Sequence, residues 1–420
     1  MNRRTFISAT GAALTASALG PASAALSTHS TSASNEAFWA KIRADYDRAD
    51  GVINLEHGYW GQMSNPVLEA FTENTKQVNA QMSYYARRGW YEDMKGVEAR
   101  IAGYLGCKPS EIALTRNASE ALQALIGGYR SLKEDDAVLY ADLDYGSVKT
   151  DFETLAARRG AEVITIALPE PATYDGIIAA YDQAMDQHPN LKYMVLTHVS
   201  NQTGLIVPVR EITERARARG VDVIVDAAHS WGQMNFTLDD LGADFAAFNL
   251  HKWIGAPLGV GFLYIRESRL GDIDRSISQG PSMEDRIAGR VYTGTMNFAT
   301  VLTVNDALDY NDMIGWDRKA ARVKALRDVW AEPARDIPGV EVLTPTDPQL
   351  SAGITSFRLA GKTTREDNQA IVERLLEDHK IFTVVRVAPE NGACIRVTPG
   401  LENGPEDCEA LLNALKILAS

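Results

Sequence analysis

Val223-Ile224-Val225-Asp226-Ala227-Ala228-His229 and, further along, Phe245-Ala246-Ala247-Phe248-Asn249-Leu250-His251-Lys252 are two apolar runs that each end on reactive side chains. Short continuous runs of β-branched and aromatic residues are what strands buried on both faces look like. Open parallel sheets collect ligands at the carboxyl ends of their strands, near a topological switch point. Asp226, His229, Asn249, His251 and Lys252 are therefore the residues to read first.

Working outward, strand-like segments at 112–115, 137–140, 163–167, 193–197, 223–225, 245–249 and 261–265 alternate with helical patterns such as 119–129, 147–159 and 209–219. That alternation predicts an α/β fold: a mostly parallel seven-stranded sheet wrapped by helices, plus a smaller α+β domain. From Ala299 the pattern changes to two long amphipathic helices ending near Ala334, then two short strand pairs and helices at 364–380 and 405–418. The expected organisation is a signal peptide at 1–24, a linker at 25–35, and a small-domain segment at 36–64. A large domain follows at 65–298, and the rest of the small domain at 299–420.

Across 420 residues, 45% hydrophobic and 23% charged side chains describe a soluble globular chain large enough for two domains. A net charge of -13 argues against nucleic acid or an anionic membrane surface as partner, since both are bound by basic patches. Asn2-Arg3-Arg4-Thr5-Phe6-Ile7-Ser8 opens with paired arginines, a mild apolar stretch runs to Leu19, and Ala22-Ser23-Ala24 offers a small-residue cleavage site. The stretch is too short and too rich in Gly, Ser and Thr to span a bilayer. It reads as a twin-arginine signal, with the twin-arginine translocase as export partner, a periplasmic or exported product, and no membrane anchor after cleavage. Cys107, Cys394 and Cys408 are odd in number and lack metal-like spacing, so neither a disulfide framework nor a metal site is expected.

A carboxylate closing a strand as apolar as Val223-Ile224-Val225 is buried and needs a partner. A lysine at the next strand's end is a solvated terminus or a carbonyl-binding amine, and Asp226 decides for the amine. Lysine and acid together suit pyridoxal 5'-phosphate (PLP): Lys252 forms the Schiff base and Asp226 holds the pyridinium nitrogen protonated. His229 is a donor to the ring hydroxyl oxygen or a structural histidine. Asn249 and His251 flank Lys252 as cofactor contacts.

Leu114-Thr115-Arg116-Asn117-Ala118-Ser119 joins a strand to a helix, with Asn117 or Ser119 as the cap, and such a helix start serves equally as an ordinary N-cap or a phosphate cradle. Tyr145, in Asp144-Tyr145-Gly146, is a stacking ring or a buried turn aromatic. His198-Val199-Ser200-Asn201-Gln202-Thr203-Gly204 is a polar strand end that turn chemistry and ligand binding explain about equally, with Asn201 and Thr203 the cofactor candidates.

In order and spacing these residues resemble the class V aminotransferase branch of fold-type I PLP enzymes, over nearly the whole chain. The resemblance implies that Asn117-Ala118-Ser119 forms the phosphate cup, that Tyr145 stacks on the cofactor, that Asp226-Ala227-Ala228-His229 is the ring-binding signature, and that Lys252 is the Schiff-base lysine. Gly294-Thr295 is similar to the motif reaching a neighbouring subunit's phosphate, which implies a homodimer with shared active sites and a cofactor role for Thr295. Asn54-Leu55-Glu56-His57-Gly58-Tyr59-Trp60-Gly61 resembles the L-N-H-G-x-x-G motif of isopenicillin N epimerase-like members, with Glu56 inserted. It brings in His57 and Tyr59 as substrate contacts. Ile395-Arg396-Val397-Thr398 resembles the strand whose arginine binds the substrate α-carboxylate, a role that a guanidinium fork fits.

The implied function is action on the amino group or Cα of an amino acid or amino-containing metabolite, aminotransferase- or epimerase-like. A desulfurase needs a loop cysteine shortly before the arginine; the 387–392 loop has none, and Cys394 falls inside the strand. Desulfuration is therefore set aside in favour of transamination, epimerisation or another C–X lyase reaction, with a PLP-binding protein without turnover as a further alternative. The signal peptide adds a resemblance to exported enzymes that modify a glutamate side chain of the siderophore pyoverdine. On that expectation Tyr84-Tyr85-Ala86-Arg87-Arg88, with Tyr59 and Trp60, lines a site for a larger peptide-like substrate. A nicotinamide dehydrogenase is excluded because no G-x-G-x-x-G follows the first strand.

Overall fold

The computed structural model describes residues 35–419, so the expected signal peptide and nearly all of the linker lie outside the described residues. The described part opens with β1 (Ile53–Asn54), and then seven strands follow: β2 (Ile112–Thr115), β3 (Ala137–Ala141), β4 (Glu162–Ile166), β5 (Leu191–Thr197), β6 (Asp222–Asp226), β7 (Phe245–Asn249) and β8 (Gly261–Ile265). They form one sheet in the order β2-β8-β7-β6-β5-β3-β4, the mostly parallel seven-stranded sheet expected. β4, β3, β5, β6 and β7 run parallel, and β8 runs antiparallel to both its neighbours.

Helices cover both faces, which is why most of the strands read as unbroken apolar runs: every residue of β2, β3, β7 and β8 is buried, while β4, at one edge, has exposed positions. Two apolar cores lie against the sheet. One gathers Val225, Phe248, Phe262 and Trp231, and the other Tyr129, Phe152, Tyr193 and Phe245. The chain steps from β3 outward to β4 and then back across to β5, so the strand order reverses beside β3. The carboxyl ends of β5, β6 and β7 open at that reversal.

Where two helices were expected after Ala299 there are three, Phe298–Leu302, Val304–Ile314 and Trp316–Ala334. Thr303 separates the first two, and Gly315, at φ 90 and ψ 123, breaks the second junction in a conformation that favours glycine. The remaining strands are β9 (Val340–Val342), β10 (Thr355–Leu359), β11 (Ile381–Phe382), β12 (Val384–Arg386) and β13 (Cys394–Val397). β12-β13-β10-β9 form a four-stranded sheet, and β1 pairs in parallel with β11, tying the N-terminal segment to the C-terminal part. Trp330, Phe357, Leu375 and Leu411 fill a separate core there. Among the described residues no helix is long and apolar enough to cross a membrane.

Candidate active site

Asp226 is the last residue of β6 and is buried. Its Oδ1 accepts the Ala228 N–H at 2.9 Å, and Oδ2 has no protein donor among the described residues. Burial raises its pKa, against the pull of that N–H and of Lys252. A buried carboxylate with one oxygen unserved is a place for an N–H that the protein does not supply.

Lys252 lies three residues beyond the end of β7 and is half-buried. Burial pulls its amine down to about 8; the Asp226 carboxylate resists, and the Arg396 guanidinium adds to the fall. Its Nζ is 2.9 Å from His229 Nε2, and the Trp253 indole N–H points at His229 Nδ1 at 3.3 Å. An indole N–H only donates, so Nδ1 accepts and the imidazole proton sits on Nε2. His229 itself is held neutral by burial, with the Lys252 charge adding to the effect. The neighbour it prefers is thus a neutral amine, the form that attacks a carbonyl.

At the start of helix Ala118–Gly127, Asn117 caps the Glu120 N–H through its own Oδ1, and Asn249 takes the Ala118 N–H at 2.8 Å. The Ser119 N–H and hydroxyl are left without a protein partner among the described residues. Here β8 runs so close beneath the cap that a Cβ on Gly261 would sit 2.8 Å from the Asn117 carbonyl carbon and 2.5 Å from the Phe248 oxygen. That contact is why the turn after Lys252 returns on a glycine.

Asn201 and Thr203 are buried; Asn201 accepts from Arg396 Nη1 through its backbone oxygen at 2.9 Å, while its side-chain Oδ1 is buried with no partner. Thr203 is engaged with Thr344 and the Leu205 N–H. His251 donates from Nδ1 to the Val260 oxygen at 3.0 Å, leaving Nε2 open. Tyr145 caps helix Gly146–Arg159 with its ring 44% exposed and free to cover something. Polar atoms on Asp226, Ser119 and Asn201 without a protein partner, an amine lowered to about 8 and an uncovered ring together fit an anionic, phosphorylated pyridine aldehyde.

The comparisons agree. Residues 61–415 match the family model of aminotransferase class-V. The chain belongs to the class V aminotransferase family. The isopenicillin N epimerase of Amycolatopsis lactamdurans is 29% identical over 399 residues, covering 91% of this chain and 98% of that protein. A probable cysteine desulfurase of Methanothermobacter thermautotrophicus is 29% identical over 339 residues, covering 76% and 82%. The cysteine desulfurase structure from Thermococcus onnurineus superposes with a TM-score of 0.76 at 23% identity, covering 90% of this chain and 98% of that one, a likeness of fold. Class V enzymes use PLP, and that is this chain's cofactor.

These relatives narrow one expectation. Cys394 is buried in β13 with its thiol pushed up to about 12 by burial, so it is no loop nucleophile. Yet cysteine desulfurases and desulfhydrases stand among the relatives, and eliminating sulfur needs no enzyme cysteine. Setting desulfuration aside for want of a loop cysteine therefore draws no support from these relatives. None of the relatives named above is described as acting on a siderophore, so the pyoverdine expectation draws no support from them.

Of the substrate-side candidates, Arg396 is buried on β13 and its Nη2 is bonded to Glu56. His57 is buried in an ion pair with Glu402. Burial alone would lower the His57 pKa, but Glu402, together with Glu56 and the Asn54 backbone, raises it overall. Tyr59 is 71% exposed, packs edge-to-face on Trp60, and lines a 590 Å³ cavity with His57 and Arg386. Tyr84 to Arg88 do not join them: Tyr85 is buried with its hydroxyl donating to Asp93, and Tyr84, Arg87 and Arg88 face solvent. Thr295 is exposed and is not among the residues lining the cavity that holds Lys252.

Four functional neighbours escaped the sequence reading. Asp144 is buried with Asp226 as a charged neighbour, is bonded to the Thr197 and Ala141 N–H groups, and is raised to about 6 by burial. Trp253, Arg386 and Glu402 are the others. Asp144 ends the stretch Asp142-Leu143-Asp144 at a strand end, which was signal enough, whereas nothing local marks Glu402.

Proposed function

We propose that the protein is a PLP-dependent enzyme acting at the amino group or Cα of an amino acid or amino-containing metabolite, in the manner of an aminotransferase or epimerase. The observation that carries this reading is the Lys252 amine, 2.9 Å from a histidine whose Nδ1 faces the Trp253 indole N–H, beside a buried Asp226 with one oxygen lacking a protein donor. The match to an isopenicillin N epimerase over nearly its full length supports it. When bound, the cofactor supplies an electron sink for the bond broken at Cα.

Lys252 would hold the cofactor through its amine and would be the group placed to move a proton at the substrate Cα. Asp226 would hold the cofactor's ring nitrogen protonated, and His229 would serve as a donor to its ring oxygen. Asn117, Ala118, Ser119, Asn249 and His251 would hold the cofactor at the helix start, and Tyr145, Asn201 and Thr203 would be its other contacts. Thr295 serves the partner's site in a homodimer. Export through the twin-arginine route is part of the proposal and is supported by residues 2–24.

A second reading, β-elimination of sulfur from a cysteine-like substrate, is favoured by the desulfhydrase relatives. The two are separated by incubating purified holoprotein with a panel of amino acids in deuterated water, following products by mass spectrometry. Deuterium at Cα or a pyridoxamine form supports the first; sulfide and pyruvate-type products support the second. A colourless protein that PLP does not reconstitute refutes both.

A further inference from the structure

A second buried acid stands beside Asp226. Asp144, in the turn between β3 and helix Gly146–Arg159, is 2% exposed against 4% for Asp226. Its Oδ2 accepts the Ala141 N–H at 2.7 Å and its Oδ1 the Thr197 N–H at 3.2 Å. Thr197 closes β5 and pairs in register with Asp226 on β6, and the next residue, His198, donates its N–H to the Asp226 backbone oxygen at 2.9 Å. The Asp144 carboxylate is thus pinned to the strand end that adjoins Asp226.

Two N–H donors converge on two different oxygens, and an amide side chain has only one oxygen to offer, so the turn calls for an acid. A second negative charge buried beside a first is costly unless a positive charge joins them. Asp226 does act on Asp144 in that unfavourable sense, adding to burial. Lys149 opposes it, but its ammonium is bonded to the Asp142 backbone oxygen. Lys252 bears on Asp226, yet burial lowers that amine to about 8, which makes it an incomplete counter-charge. The place left for a cation is at Asp226 Oδ2, which has no protein donor among the described residues.

Building on the PLP reading above, we propose that Asp144 is a positioning residue whose fixed negative charge, beside Asp226, makes the site select a cofactor that carries a proton on its ring nitrogen. In this role Asp144 touches neither ring nor substrate and acts through Asp226 and the field of the pair. The two carboxylates form one unit, held by the paired ends of β5 and β6.

The test compares the affinity of the full-length apoprotein for PLP with that for 1-deazapyridoxal 5'-phosphate, in which a C–H replaces the ring nitrogen. Equilibrium dialysis is run at about pH 8, above the value of about 6 to which burial raises Asp144. Asp144→Asn and Asp144→Ser, which lack the charge, are expected to narrow the wild-type preference for PLP about tenfold. Damage to the turn alone weakens both compounds equally, and an unchanged ratio overturns the proposal. A second measurement needs no variant: with aspartate labelled by carbon-13, the Asp144 carboxyl is expected to titrate about one pH unit lower when PLP is bound than when the deaza compound is bound. The same titration with both compounds overturns the proposal. A wild type that binds the two compounds equally refutes the parent placement of the ring nitrogen at Asp226, a different result from a wild-type preference that the variants retain.

Discussion

The two walls of the site are built on opposite principles. On the cofactor side, Asp226, His229, Asn249 and Lys252 follow one another along two neighbouring strand ends, and polar atoms on Asp226 and Ser119 are left unserved. On the substrate side, Glu56 and Arg396 meet across 340 residues of sequence and quench each other, as His57 and Glu402 do. The first wall leaves polar atoms without a protein partner where a cofactor would bind, whereas the charges of the second are paired with each other even though Arg396 Nε and Glu402 Oε1 keep no hydrogen-bond partner.

Removing the centre of the first wall has the largest expected effect. Lys252→Ala should abolish covalent cofactor attachment and lower turnover by about 10²–10⁴-fold, the range for losing a positioned proton-transfer group. The readouts are the absorbance of the purified protein and single-turnover kinetics. Asp226→Asn should cost about 10²–10³-fold, since it removes the charge that stabilises a protonated ring, with PLP still bound. Measuring both cofactor content and rate keeps binding loss apart from catalytic loss.

The acid-base balance of Lys252 sharpens the contrast by pH. With the amine lowered to about 8, it is protonated below that pH and neutral above it, so capture of added PLP by the apoprotein should accelerate as pH rises through about 8. A rate that rises only near the ordinary lysine range would mean the amine is not desolvated. Trp253→Phe should act more gently. Losing one indole N–H frees the His229 tautomer and should weaken cofactor or substrate binding about threefold to tenfold. The ring-nitrogen chemical shifts of His229 report the change directly.

The smallest effect concerns the floor shared by both walls. Buried Lys319 donates to the Trp253 backbone oxygen and, at 2.7 Å, to Asn311 Oδ1, and burial lowers its amine to about 7. Lys319→Met leaves those two acceptors unserved and should cost ~1–3 kcal/mol of stability, seen as a lower Tm. An unchanged Tm would show that water or a shift of the Trp253 backbone replaces the ammonium.

The same division explains what was legible in the chain. Each of the seven sheet strands falls within about two residues of its expected span, because burial on both faces writes a continuous apolar run into sequence. The Lys252 side was readable for a related reason: its residues sit at strand ends in local order. The antiparallel course of β8 was also latent there, since the short stretch after Lys252 holds no crossover helix. The short helix Phe298–Leu302 was missed, because its separation from the next helix at Thr303 has no glycine or proline to mark it.

The substrate wall was illegible because long-range charge pairing has no local pattern. Glu56 appears in sequence only as an insertion beside His57, and its partner lies on β13. Nor does any spacing announce that Trp253, next to Lys252, orients a histidine 24 residues earlier.

The central claim is that Lys252 carries the cofactor, and a second buried lysine offers a built-in alternative. Lys252 and Lys319 line the same small cavity, and both amines are lowered by burial. Borohydride reduction of the holoprotein, followed by proteolysis and mass spectrometry, decides between them. The account predicts a pyridoxyl phosphate increment on the peptide holding Lys252 and none on that holding Lys319. Label on Lys319, or on neither, would contradict it.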